Sequence, residues 1–411
     1  MVREGYAKVV DWTLGLTMDP KKLRSLEREA KTKRLRLWRD YKEPVTATGN
    51  AAARQSASAI DYEAKVLEIC SADSLIVQNI DASKEIKKIF LASIRPPRLD
   101  SVKNGLEGTG DNENRSPSSE KRQQSQTTPF RPLYDIPFMF EARELLRKRV
   151  IGKIVKVHTD YVQPKTENFP EKYCCTVLTQ DGQNLAEQLI IKGLVTVVKY
   201  RMMSAHDDDG ASARASDYDS FLSAELKAQK MNKGLYSTKP DAGLVRIVDL
   251  STDMTKSKSF APFLTRGGAS GGSHHRKDAV VEYVFPSSTK LKLYIPKENC
   301  LINLVLAGVN TPKMNDPISA EAVQYAKHRV YQRDVQVEIE TQDRVGNYIG
   351  SVYYFNENGI NSSNNNKNQS TSSTNLAVEL VKAGFLSARD YYSVKVEFQQ
   401  AENEAKNARK G

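Results

Sequence analysis

The chain has 411 residues, 39% of them hydrophobic and 27% charged, which is ordinary for globular protein and long enough for two or three domains. The formal net charge is +11, an excess that favours a polyanionic partner such as a nucleic acid. No run of about 18 apolar residues occurs and the first residues lack the apolar core of a signal peptide, so the composition argues against a membrane-spanning or secreted protein.

The basic excess begins at the amino terminus. Residues 1–44 hold twelve Lys and Arg against seven Asp and Glu. Arg28 and Lys31 fall on one face of a predicted helix there. A phosphate contact and a solvated helix face are equally good interpretations of any single basic cluster.

One short element recurs along the chain. Residues 184–194 and 375–385 share Asn, Leu, Ala, Leu and Gly at five matching positions, and residues 1–6 align with the end of both. The pattern predicts a helix of about three turns that Asn caps and Gly ends in a left-handed conformation. The predicted stops are Gly5, Gly193 and Gly384.

A second helix follows each stop. Its copies align on Glu27, Glu225 and Glu402, and an apolar-aromatic pair follows at 37–38 and 235–236. In the last copy that pair would begin at about position 412, just after the last residue of the sequence. We therefore expect the chain to begin inside one repeat, to end before completing another, and to be a piece of a longer protein.

Between these helices the sequence alternates β-rich runs with turn residues. In the first copy the strands are 64–70, 74–78, 88–94, 153–158 and 172–178, with a helix at 139–150. In the second they are 279–285, 290–294, 300–306, 335–340 and 348–355, with a helix at 320–331. Five strands with a helix between the third and fourth are typical of an OB barrel. The predicted class is α+β: tandem OB-fold barrels, each of five strands plus about three helices.

Composition predicts the domain limits. They are the end of a preceding domain (1–44), a complete domain (58–237) with a disordered insertion at 101–129, a flexible linker (238–278), and a truncated domain (279–411) with an insertion at 361–374. Both insertions are polar and lack apolar periodicity, which is typical of disordered loops.

Four strings carry a family resemblance: residues 95–98 (RPPR), 131–137 (RPLYDIP), 140–147 (FEARELLR) and 279–285 (AVVEYVF). They resemble the Tudor staphylococcal nuclease (Tudor-SN) family, which has four nuclease-like OB domains followed by a Tudor domain. The resemblance implies the end of domain two, domain three and most of domain four. The methylarginine-binding Tudor domain would not be included.

The family implies RNA as a partner, double-stranded or structured, together with proteins of RNA silencing, splicing and transcription. It further implies roles in RNA decay and stress granules, and a location in cytoplasm and nucleus.

Hydrolysis by this fold needs carboxylates that hold a metal ion, a Glu that activates water, and two arginines that neutralise the transition state. Alignment on the motif's proline, at 97 and at 312, places other residues there. In the first copy the four positions hold Phe90, Arg95, Arg98 and Tyr173, and in the second Val305, Asn310, Lys313 and Asn347. Only Asp73 and Thr311 match the family's pattern. We expect no catalysis, metal or cofactor in this chain; calcium is expected only in active domains elsewhere in the full-length protein.

Gaining Arg95, Arg98 and Lys313 while losing carboxylates predicts a basic cleft that binds RNA without cutting it. The other predicted RNA contacts are Arg28, Lys31, Arg131, Arg143, Arg147 and Lys153. Tyr134 and Phe138 could stack on unpaired bases or fill a core. The alternatives to an RNA-binding module are a protein-interaction scaffold and a calcium-dependent ribonuclease acting through other domains.

Overall fold

The computed structural model describes residues 1–9, 20–39, 61–98, 131–165, 170–200, 214–239, 242–265, 276–310, 317–355, 373–389 and 395–409. It divides into two compact units, Met1–Val245 and Arg246–Gly411. Each unit contains one closed five-stranded barrel with helices around it, so the predicted α+β class with tandem barrels is confirmed.

The first unit builds its barrel from antiparallel and parallel strand pairings in the order β1-β2-β3-β6-β5. Its strands are β1 (Asp61–Ser71), β2 (Ser74–Asn79), β3 (Ile86–Leu91), β4 (Ile94–Arg95), β5 (Ile154–Gln163), β6 (Lys172–Leu178) and β7 (Thr196–Val197). Strand β3 runs parallel to β6, and β5 pairs with β1 to close the cylinder. Alternate residues such as Leu75, Ile89 and Val177 point inward and are almost wholly buried, as the two-residue period of a strand requires.

The described part of the first unit also contains helices. They are α1 (Pro20–Thr32), α2 (Pro132–Asp135), α3 (Met139–Val150), α4 (Leu185–Ile191) and α5 (Tyr218–Lys230), with 3-10 turns at Arg36–Trp38 and Gly234–Tyr236. Ala142, Leu146 and Val150 of α3 lie in the same core as the strands. Their spacing of four residues places them on one face of the helix.

The second unit repeats this plan. Its strands are β8 (Val248–Asp249), β9 (Lys277–Val284), β10 (Lys290–Ile295), β11 (Cys300–Leu306), β12 (Val309–Asn310), β13 (Asp334–Gln342), β14 (Tyr348–Phe355), β15 (Ser373–Asn375) and β16 (Ser387–Ala388). Its helices are α6 (Met254–Thr265), α7 (Pro317–Val330), α8 (Leu376–Lys382) and α9 (Val396–Asn407). A parallel pairing of β11 with β14 closes the barrel.

The prediction of a flexible linker over 238–278 is wrong for residues 246–265, which belong to the second unit. Strand β8 pairs in parallel with β11. On α6, the buried Ser257 donates its hydroxyl to the Gly346 carbonyl at 2.9 Å, and Tyr348 donates its own to the Ser257 carbonyl at 2.8 Å. Leu264 completes the contact in the barrel core. The segment is therefore part of the barrel's packing.

The insertion predicted at 101–129 and most of that at 361–374 lie outside the described residues. The second prediction runs too far, because Ser373 and Thr374 belong to β15 and pair with β14. Among the described residues, no helix is long and apolar enough to cross a membrane.

The recurring helix has the predicted ends. Asn184 accepts the backbone N–H of Ala186 at 2.9 Å, and Asn375 accepts that of Ala377 at the same distance. All three glycine stops have a positive φ, +70° at Gly5, +69° at Gly193 and +82° at Gly384. Caps and stops thus satisfy backbone groups that a short helix leaves without partners.

The aligned glutamates share a structural task. Glu27 accepts the N–H of Val9 at 2.8 Å, Glu225 that of Val197 at 2.9 Å, and Glu402 that of Ala388 at 2.9 Å. Each donor amide lies four residues beyond its glycine stop, and Glu27 and Glu225 are only 5% and 4% exposed. The glutamate therefore ties the second helix of the repeat to the chain leaving the first, since a buried amide needs an acceptor.

Candidate nucleic-acid interface

In the first barrel, the two positions predicted to correspond to the nuclease's arginines hold aromatic rings. Phe90 lies on β3, with the Lys88 and Lys172 ammonium groups each 5.3 Å from its ring centroid. Tyr173 on β6 donates its hydroxyl to Glu171 at 3.0 Å, and this hydrogen bond, aided by burial, raises the pKa of Tyr173. Positive charge at Phe90 thus comes from two flanking lysines that the sequence alignment did not single out.

The surviving acid, Asp73, lies in the tight turn between β1 and β2. The Ser71 hydroxyl donates to its carboxylate, and its backbone carbonyl accepts the Leu91 N–H at 2.7 Å. Across the described residues, no group of three or more His, Cys, Asp or Glu side chains could hold a metal ion. A single carboxylate is a poor ligand set for a hard divalent cation, which takes several oxygen ligands.

Arg95 and Arg98 are the residues that the sequence predicts in place of the metal-binding Asp and the general-base Glu. Arg95 lies on β4, which pairs with β7. Pro97, which precedes Arg98 in the chain, is buried. Both arginines are exposed, and within the described part of the chain neither makes an ion pair.

The described site positions of the second barrel also lack the residues that hydrolysis needs. Val305 is half-buried on β11, and Asn310 on β12 donates its amide to Ser387 Oγ at 3.2 Å. Asn347 donates its amide to Asp343 at 2.8 Å within the β13–β14 turn. Lys313 and Thr311 lie outside the described residues. None of the three described positions supplies a cation or an acid.

Asp343 carries the clearest electrostatic effect in this turn. Burial alone would raise its pKa, but hydrogen bonds from the Asn347 side chain and from the backbone N–H groups of Asn347, Val345 and Gly346 outweigh burial. The pKa of Asp343 therefore lies below its usual range. The carboxylate organises the turn through these bonds.

The prediction that Arg143 and Arg147 offer their charges to RNA is wrong. They are 3% and 1% exposed. Arg147 donates from Nε and Nη2 to the two oxygens of Glu144 at 2.9 and 3.0 Å, while the Arg143 guanidinium lies 5.4 Å from the Phe140 ring. The i, i+4 spacing did put them on one face of α3, but that face is turned inward.

The other predicted RNA contacts are at the surface to different degrees. Arg28 and Lys153 are exposed. Lys31 is half-buried with its ammonium 4.6 Å from the Trp38 ring, and Arg131 is 3.7 Å from the Asp135 carboxylate. Arg28 and Lys153 fit a phosphate contact best, because a cation that already has a partner must give it up to bind another anion.

Tyr134 and Phe138 are core residues. Each is 8% exposed, and Tyr134 lies 5.6 Å from Phe140 between ring centroids. Of the two roles left open by the sequence, the structure supports core filling.

Comparison with known families agrees with this fold. A family model described as "Staphylococcal nuclease homologue" matches residues 88–238 and 303–411, which is more than half of the chain. The chain belongs to the staphylococcal nuclease family.

Curated relatives of this family refine the placement. The chain is 36% identical to "Staphylococcal nuclease domain-containing protein 1" of Drosophila melanogaster, over 100% of this chain and 41% of the relative. It is 28% identical to "Ribonuclease TUDOR 1" of Arabidopsis thaliana, over 99% of this chain and 39% of the relative. It is 30% identical to "Staphylococcal nuclease domain-containing protein 1" of Schizosaccharomyces pombe, over 90% of this chain and 35% of the relative. The predicted Tudor-SN resemblance is confirmed, and the chain spans about two fifths of the length of these relatives.

Proposed function

We propose that this chain is a catalytically silent RNA-binding module of a Tudor-SN-like protein. The observation that supports the proposal is the exposure of Arg95 and Arg98, which make no ion pair within the described part of the chain and which the sequence predicts in place of a metal ligand and a general base. Reversing the charge of a metal cleft removes its affinity for cations and favours phosphate.

The test is a salt-dependent titration with short duplex and single-stranded RNA. We expect binding at about 100 mM salt, with log affinity falling linearly as log salt rises. Replacing both arginines (R95Q with R98Q) should lower the steepness of that line by about 2 for the duplex and by about 1.4 for the single strand, because the variant no longer neutralises two phosphates.

The matched control neutralises two exposed lysines of α5, K227Q with K230Q, and should leave the slope unchanged. Absence of RNA binding by the unmodified chain would sink the proposal and leave the scaffold interpretation. Incubating labelled RNA with calcium, with and without chelator, tests whether the chain lacks nuclease activity. We expect the RNA to stay intact under both conditions; cleavage that the chelator prevents would contradict the proposed lack of activity.

For the full-length protein, we propose action in RNA silencing, RNA decay, and splicing or transcriptional coactivation, in cytoplasm and nucleus. Support comes from the family resemblance and from relatives that carry the name ribonuclease. On this proposal any calcium-dependent cutting resides in domains outside this chain. Imaging the tagged full-length protein, with sequencing of the RNA that copurifies, tests both location and partner; exclusion from both compartments or absence of RNA would contradict it.

A further inference from the structure

One outer face of the second barrel carries aromatic and basic side chains together. Cross-strand pairing joins Tyr283 of β9 to Lys292 of β10, and Lys292 to Asn303 of β11. Lys290 is paired in the same way with Val305. Paired residues project from the same side of a sheet, so these side chains share the face opposite the buried Leu291 and Leu304.

The most exposed member of this face is an aromatic ring. Tyr283 is 45% exposed, and its ring meets that of Phe285 edge-to-face, with centroids 5.0 Å apart and planes at 89°. Phe285 itself is only partly exposed. An edge-to-face neighbour restricts the orientation of Tyr283 and leaves ring surface in solvent.

Two lysines border the rings. The Lys290 ammonium lies 5.0 Å from the Phe285 ring centroid, and Lys292 is directly across from Tyr283. The nearby acids are Glu282, at a bulge in β9, and Asp249, whose carboxylate is 3.3 Å from Lys292. The adjoining turn, residues 286–289, contains no acid.

This combination suits one ligand chemistry. An aromatic ring stacks on the face of any nucleobase, and a neighbouring lysine meets the phosphate that follows it. A cationic peptide would instead face the ammonium groups of two lysines. Bases within a duplex are already stacked and leave no face for Tyr283.

We propose that Tyr283 and Phe285 form a stacking platform for an unpaired RNA base, with Lys290 at the adjoining phosphate. The proposal rests on the RNA-binding function above and adds that the second barrel recognises unpaired nucleotides. Because Val305 occupies the place of a catalytic arginine, the platform binds a strand without that residue's help in cutting it.

The experiment compares a single-stranded RNA of about 12 nucleotides with a blunt duplex of equal length, using the whole chain. Tyr283→Ala should weaken binding of the single strand about 5- to 100-fold, the range expected when one stacking ring is removed, with duplex affinity within about twofold. Tyr283→Phe keeps the ring and should keep the affinity. Lys290→Gln should lower the salt slope for the single strand by about 0.7.

The matched control is Phe263→Ala, since Phe263 is an aromatic of the same unit with 69% exposure that lies on α6, outside this face. It should bind both RNAs as the unmodified chain does. A second measurement uses RNA with 5-iodouridine and irradiation, which should crosslink the peptide that contains Tyr283.

The outcomes separate the two proposals. If the unmodified chain binds only duplex, or if Y283A and F263A bind the single strand as it does, the platform is overturned and RNA binding stands. If the unmodified chain binds neither RNA, RNA binding itself fails and the platform with it.

Discussion

Gly193 shows how one residue can serve two requirements of the repeat. Its φ of +69° ends α4. Because it has no side chain, the backbone that follows α5 can approach it closely. An added Cβ would lie 2.2 Å from the Lys233 carbonyl oxygen. The Leu235 N–H then donates to the Gly193 carbonyl at 2.8 Å, so the close approach is part of a hydrogen-bonded closure.

Gly193→Ala should therefore lower the free energy of unfolding by about 2–5 kcal/mol, adding a steric clash to the cost of a left-handed backbone. Gly182→Ala is the matched control, because Gly182 has a φ of +76° and a Cβ added there would meet nothing within 4 Å. It should lose only about 1–2 kcal/mol. Urea unfolding followed by far-ultraviolet circular dichroism measures both. Equal losses would contradict the role of close approach.

At the scale of single residues, the sequence predicted those residues whose role concerns the backbone within a few positions of themselves. Asn184 and Gly193 act on the backbone a few residues away, so a local pattern was enough to place them. Arg143 and Arg147 depend on which face of α3 turns inward, and charge suggested the wrong face. The glutamates could be aligned, but their amide partners became clear only once the chain leaving each glycine was located in space.

Among the elements, the β13–β14 hairpin concentrates its polar contacts on one carboxylate. Asp343 accepts the Asn347 side chain at 2.8 Å and the Val345 N–H at 2.9 Å. Those bonds favour the charged form and hold the pKa of Asp343 below the usual range of an aspartate. Their stabilisation is present above the unfolded-state pKa and is lost as pH falls through the lower, folded-state pKa.

Asn347→Ala should raise the pKa of Asp343 and weaken this pH dependence. The stability difference between the variant and the unmodified chain should be largest near pH 7 and shrink as pH falls through the lowered, folded-state pKa of Asp343. Urea unfolding followed by circular dichroism at several pH values measures it. Asn310→Ala is the control: its amide partners, Ser387 and the Ala388 carbonyl, do not titrate, so its effect should be independent of pH, and a parallel profile for both variants would refute the prediction.

Elements were predictable where their pattern was local. The limits of α3, β6, β11 and β14 agree with the hydrophobic periodicity. Strand β8 has two residues and exists through its pairing with β11, about fifty positions later, so no nearby residue signals it. Helix α6 carries Pro262 in its interior, a residue that usually indicates a break.

At the scale of the whole molecule, the cysteines report whether both barrels are closed. Burial raises the pKa of Cys175 and of Cys300 to about 12 and also raises that of Cys174. Cys70, on β1, is exposed, although partial burial raises the pKa of its thiol as well, so access to the sulfur is what distinguishes it from the other three. Thiolate is the reactive form and access limits alkylation, so the four thiols should differ in rate.

We expect iodoacetamide at about pH 8 to modify Cys70 first in the folded chain, and the other three only on unfolding. Mass spectrometry of digested peptides, sampled over time with and without urea, measures each site. Cys70→Ser should leave the folded chain nearly unlabelled and serves as the control. Early labelling of Cys300 would contradict a closed second barrel, and early labelling of Cys174 or Cys175 a closed first one.

The placement of β8 and α6 also decides how this protein can be divided. The family match to the second barrel begins at residue 303, within β11, yet Leu250 and Leu264 lie in that barrel's core. A fragment designed from the match, or from the first long strand at Lys277, would leave apolar core surface open to water. A fragment that keeps these two core residues of the second barrel therefore has to begin upstream of Leu250, for example at Arg246, on the amino-terminal side of the glycine-rich stretch at 266–272.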